Sequence, residues 1–228
     1  MNFPADPDWR DLLAIGFDRL RDFRRYAWFF AASVALSVVS GAAERRGGVG
    51  SMLSFIASLG FMYTTLVLAR QLMTGALERN PQDLRSVFRL IGVGLVLALI
   101  LVIPLVFAVV LTITVSVSVA VAVLLAIALP VGLYFAARTA FYLPALALNR
   151  PVTLRQSYAQ TRRYWGRLLA VFVAVSAVGA AVGVAILWLP GAHAIPWFAL
   201  RVIDGLVSGA GVLIAESAAC YLYWTRVG

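Results

Sequence analysis

From Leu90 to Ala137 the chain carries no charged residue. As a single α-helix that stretch would run about 70 Å at 1.5 Å per residue. The hydrocarbon core of a bilayer is only about 30 Å thick. Two crossings are therefore required, and the turn between them is predicted at "TITVSVS", residues 112 to 118, the polar cluster available there.

Applied to the whole chain, the same reasoning finds apolar runs at 27–43, 49–75, 87–111, 116–148, 168–189 and 198–224, separated by short charged segments. The expected fold class is all-α: a polytopic membrane protein with six transmembrane helices over residues 27–228, preceded by a separate element in residues 1–26. Hydrophobic residues make up 62% of the chain and charged residues 13%. Soluble domains stand near half and a quarter, which excludes that class. Residues 1–26 hold five Asp and five Arg ahead of the first apolar run, unlike a cleavable signal peptide.

Arginine sets the expected orientation, since every one of the 19 cationic residues is arginine. With the N-terminus inside, sixteen arginines fall on the inner side; Arg45, Arg46 and Arg201 fall on the outer side. An excess of basic residues on cytoplasmic loops is the strongest orientation signal a helical membrane protein carries. Both termini are thus expected in the cytoplasm, with Trp165 and Trp224 at the inner boundary and Trp188 and Trp197 at the outer one. The net charge of +9 is explained by this asymmetry without nucleic-acid binding.

Residues 8 to 26, "DWRDLLAIGFDRLRDFRRY", read as an amphipathic helix with Trp9, Leu12, Leu13, Phe17, Leu20 and Phe23 on one broad face. Such a helix is expected to lie in the membrane interface. A second basic helix is expected before the fifth span, beginning at Pro151 after a bend at Pro144. Thr153 and Gln156 have the spacing of a capping box. Arg155, Arg162 and Arg163 lie away from the face formed by Leu154, Tyr158, Thr161, Trp165 and Leu168. These arginines, with Trp165, are candidate contacts for anionic headgroups on the inner leaflet, or for a partner protein.

The second and fourth predicted spans end alike. "ARQLMTGALERNPQDLR" (69–85) and "ARTAFYLPALALNRPVTLR" (137–155) both run from Ala-Arg to Pro-x-x-Leu-Arg. Either a parallel repeat, residues 49–111 against 116–189, or convergence on good helix capping accounts for the likeness.

Arg70, Arg138 and Glu216 lie deep in their apolar runs, nine, twelve and ten residues before Arg79, Arg150 and Arg226. A charge facing lipid costs at least about 2.5 kcal/mol. Arginine can extend toward the headgroups, but glutamate is too short to do so. Glu216 is therefore expected to turn into the bundle, with Arg138 as first choice of partner and Arg70 as second. Gly205 and Gly209, a G-x-x-x-G on the same face, allow close approach of another helix. Asp204 is expected to pair with Arg201. A buried strut and a polar ligand or proton site are both compatible with the Arg70, Arg138 and Glu216 cluster.

"RTAFYLPALALNRP" followed by "LRQSYAQTRRYWGRLL" resembles the core of an uncharacterised bacterial six-helix inner-membrane family, related to the membrane domain attached to some glycerophosphoryl diester phosphodiesterases. Pro144, Ser157 and Trp165 carry the resemblance over residues 130 to 175, and Asn149 and Arg150 depart from it. The resemblance implies a multi-pass protein of the bacterial cytoplasmic membrane. No phosphodiesterase domain accompanies it, so no such activity carries over.

No enzymatic pattern is present: there is no H-E-x-x-H, no phosphate-binding lysine and no G-x-S-x-G. His193 and Cys220 are single, which gives no metal cluster and no internal disulfide. The expected function is a non-enzymatic membrane component without cofactor. It would scaffold, or bind lipid, another membrane protein or a second copy of itself. A small transporter with a site around Arg138 and Glu216 is the alternative, favoured if a cavity reaches Glu216.

Overall fold

The computed structural model describes residues 6–44, 48–77, 85–96, 117–150, 152–188 and 195–227. Among them there is no strand. The elements are α1 (Trp9–Arg21), α2 (Phe23–Glu44), α3 (Gly48–Thr74), α4 (85–96), α5 (Val117–Thr139), α6 (Tyr142–Ala147), α7 (Leu154–Gln160), a 3₁₀ turn (Thr161–Arg163), α8 (Trp165–Trp188) and α9 (Trp197–Arg226). Four helices in the described residues are long and apolar enough to cross a membrane: Phe23–Ala43, Gly50–Thr74, Trp165–Ile186 and Trp197–Arg226. The turn expected at 112–118 lies outside the described residues except for its last two, which begin α5.

The N-terminal segment is two helices rather than one. Asp8 caps α1 through a reciprocal box: its carboxylate accepts from Trp9 N at 2.6 Å, and Asp8 N donates to the Asp11 carboxylate at 2.9 Å. At Asp22 the backbone leaves helical geometry (φ −83°, ψ 44°), and α2 starts afresh at Phe23.

The face that α1 buries is shifted from the apolar face the periodicity picks out. Its buried stripe is Leu12, Ile15 and Gly16, packed on α9 and α8, while Phe17 and Phe23 of the expected apolar face are exposed. Gly16 explains the difference. Lacking a side chain, it lets α1 seat against Ile214 of α9, so a bundle helix covers the stripe in place of lipid.

The hub is α9, which packs against α1, α2, α3, α6 and α8. The G-x-x-x-G face works as expected. A β-carbon on Gly205 would stand 2.6 Å from Val34 Cα, and one on Gly209 would stand 3.2 Å from Ser33 Oγ, so α2 and α9 meet almost backbone to backbone. Around that contact, Tyr26, Phe29, Phe30, Leu68 and Leu213 form one buried core. A second joins α1, α6, α8 and the C-terminal half of α9 through Leu12, Phe141, Leu168, Leu222 and Tyr223.

The chain bends before Pro144, not at it. α5 ends at Thr139, and the one-and-a-half turns of α6 follow, with Pro144 in its first turn, where a missing N–H costs nothing. Asn149 takes a left-handed φ of 55°, a conformation Asn tolerates. α7 begins at Leu154, with Thr153 and Gln156 forming the expected capping box. Pro151, expected to start that helix, lies outside the described residues.

Candidate functional site

The fold turns Glu216 inward, onto a cavity of about 460 Å³ bounded by α3, α4, α5, α6, α8 and α9. Phe61, Met62, Leu90, Val93, Leu143 and Phe172 supply most of its wall, so it is largely hydrocarbon. Thr65 and Thr139 also line it, but each hydroxyl donates to its own helix, to Phe61 O at 2.8 Å and to Phe135 O at 2.8 Å. Glu216 Oε2 is buried with no hydrogen-bond partner. A carboxylate in such surroundings is stable only with a proton, a cation or water at hand.

Neither expected cation supplies this. Among the described residues Glu216 forms no ion pair, and the pairing expected with Arg138 or Arg70 is not made. Arg138 is turned the other way, with its guanidinium carbon 3.6 Å from the ring centroid of Tyr158. Tyr158 in turn shares a 2.8 Å hydrogen bond with the hydroxyl of Tyr134, whose ring meets Trp165 edge-on at 5.4 Å. A π-face held over a guanidinium replaces part of its hydration, and this is how α5 keeps a 6% exposed arginine near its end.

Arg70 performs a different task. It is 3% exposed, and its Nε donates to Ala147 O at 3.1 Å, at the end of α6. Helix ends leave carbonyls without partners and carry partial negative charge, so a cation there is favourable. The end of α5 is closed by hydroxyls instead: buried Thr161 donates to Arg138 O at 2.6 Å and Ser157 to Thr139 O at 3.3 Å. Residues 152–163 thus fold back to cap α5. The two arginines matched in the sequence repeat therefore do unlike jobs. Residues 78–84, which end the first half of that repeat, lie outside the described residues, as does His193.

Arg155, Arg162 and Arg163 are exposed, as expected, and Trp165 is half-buried as the first residue of α8. Sequence reading missed a further arginine group. Arg167 donates through both terminal nitrogens to Asp6, at 2.7 and 3.0 Å, and Arg226 donates to the same carboxylate at 3.2 Å. The ring of Tyr164 lies beneath, with the guanidinium carbons of Arg163, Arg167 and Arg226 at 6.0, 6.0 and 5.7 Å from its centroid. Hydrogen bonds from Arg167 first and Arg226 second hold the Asp6 carboxyl well below the usual carboxylate range.

A second cavity, about 320 Å³, lies between α2, α3 and the N-terminal half of α9. Asp204 lines it and accepts from Ser37 on α2 at 2.7 Å, so its hydrogen bond crosses between helices instead of joining it to Arg201. Ser33, Ser37 and Ser40 recur every third or fourth residue on α2. That spacing was a legible sign that this face of α2 is polar.

No protein-family model, curated protein or solved structure matches this chain.

Proposed function

We propose that this chain is a multipass membrane protein that holds a small, largely apolar ligand within its bundle, with Glu216 as the single polar anchor. One observation carries the reading: a carboxylate without a protein partner faces a cavity of about 460 Å³ whose other walls are mostly hydrocarbon. Sites for small molecules have this composition, apolar walls with a few placed polar groups. A register strut would instead bring a paired, packed ion pair, which favours a transporter or ligand carrier over a scaffold.

The remaining parts of the reading rest on the sequence. Six spans, both termini in the cytoplasm and residence in a bacterial inner membrane follow from the length of the apolar runs, the arginine asymmetry and the resemblance over residues 130–175. On this reading the protein performs no covalent chemistry, and its exposed Arg155, Arg162 and Arg163 contact anionic headgroups.

The test is binding of a fluorescent hydrophobic amine to the purified protein in mild detergent. Glu216→Gln removes the charge, and Ala140→Trp fills the cavity from a residue in its wall. Both variants are expected to lose binding while retaining the monodisperse profile of the wild type. Unchanged binding in both would refute the proposed site.

A further inference from the structure

A polar constellation lies where the N-terminal end of α8 meets the C-terminal end of α9, away from the Glu216 cavity. There two guanidiniums from different helices converge on one carboxylate. Asp6 Oδ1 receives Arg167 at 2.7 Å and Arg226 at 3.2 Å, and Oδ2 receives Arg167 at 3.0 Å. Arg163 stands at the edge over the shared Tyr164 ring. A planar guanidinium fork that grips a carboxylate through two parallel N–H groups has the geometry that also grips a phosphate.

The occupant is the weak part of this arrangement. Asp6 comes from the segment before α1, and its side chain is 49% exposed, against 30% for Arg167 and 26% for Arg226. The arginines belong to long helices packed into the core, and the aspartate to a short lead-in. The next carboxylate along, Asp8, is already engaged in capping α1. A phosphate offers more acceptor oxygens and more negative charge than one carboxylate, and the arginine count places this end of the bundle at the inner headgroups.

We infer that Arg167 and Arg226 form a phosphate cradle, and that Asp6 is a tethered stand-in which an incoming phosphate, lipid-borne or free, displaces. A built-in competitor lowers apparent affinity by the fraction of time the cradle is open. Removing the competitor's charge must therefore tighten binding, which is the opposite of what loss of a merely structural ion pair would do.

The experiment measures binding of short-chain phosphatidic acid to the full chain in a zwitterionic detergent and phosphate-free buffer. Short-chain phosphatidylcholine and inorganic phosphate serve as the other arms. Asp6→Asn is expected to bind phosphatidic acid about tenfold more tightly than wild type, a gain within the range of charge-assisted hydrogen bonds. Asp6→Glu, which keeps the charge, is expected to bind as wild type does. Adding Arg167→Gln to Asp6→Asn is expected to abolish the gain.

Phosphatidic acid binding well above inorganic phosphate identifies a headgroup site, and equal binding identifies a site for soluble phosphate. If Asp6→Asn binds neither more tightly, or if the gain survives Arg167→Gln, the inference fails. Circular dichroism on each variant separates these outcomes from unfolding.

Discussion

Gly16 of α1 and Ile214 of α9 touch with no room between them: a β-carbon on Gly16 would stand 2.6 Å from Ile214 Cγ2 and 2.9 Å from Ile214 Cα. The second atom is backbone and cannot turn aside. Gly16→Ala is therefore expected to push α1 off α9 and destabilise the protein by about 1–3 kcal/mol, the usual cost of overpacking. Thermal unfolding in detergent reads the loss. Hydrogen exchange should place the added opening in α1, whose buried stripe depends on that contact.

The same reasoning separates a glycine at a helix contact from one with open space around it. Gly205 meets Val34 Cα at 2.6 Å, whereas a β-carbon on Gly166 of α8 would find nothing within 4 Å. Gly205→Ala should cost about 1–3 kcal/mol through the α2–α9 contact. Gly166→Ala should instead raise stability by up to about 1 kcal/mol, since alanine restricts the unfolded chain and favours helix. Melting temperatures of the two variants should move in opposite directions from wild type.

Arg138 and Glu216 face different neighbours, one the Tyr158 ring and the other a hydrocarbon-walled cavity. With no ion pair between them, the losses of Arg138→Gln and Glu216→Gln should add in the double variant to within about 0.5 kcal/mol. Tyr158→Leu, which removes the ring beneath Arg138, should destabilise by about 1–2 kcal/mol more than Tyr158→Phe, which keeps it. A double-mutant cycle in detergent measures the first expectation. Equal losses for the two Tyr158 variants would refute the second.

Periodicity and cost arguments made the helical class legible from the sequence, along with the capping box at Thr153 and the inward turn of Glu216. These depend on one helix at a time, or on the bilayer's refusal of a bare charge. What could not be read was which surface covers each face. The α1 stripe suits lipid or protein equally well by pattern, and only the fit of Gly16 to Ile214 decides between them. Arg138 illustrates the same limit. Its demand for a partner was visible, but an aromatic ring, a carboxylate and a headgroup all satisfy it. Tyr158 lies twenty residues on, brought into place by the fold-back of 152–163, which no local pattern encodes. The Asp6 clamp joins residues 161 and 220 positions apart, so sequence spacing carried no trace of it.

That clamp makes a prediction about pH. The two arginines hold the Asp6 carboxyl below its ordinary range, so its folded-state value lies beneath the unfolded value of about 3.9. A depressed carboxyl binds protons more readily in the unfolded chain. Its stabilisation is therefore complete above about pH 4 and is lost as pH falls through the folded-state value. In phosphate-free buffer wild type should melt above Asp6→Asn by a constant margin between pH 5 and pH 8. The two curves should draw together as pH falls below about 4 toward the folded-state value, where the wild-type carboxyl gains its proton. Because the pair is exposed, raising the salt should shrink the margin at every pH. A margin that widened on acidification would mean that Asp6 is stabilised in its neutral form, which is incompatible with two guanidinium donors on its oxygens.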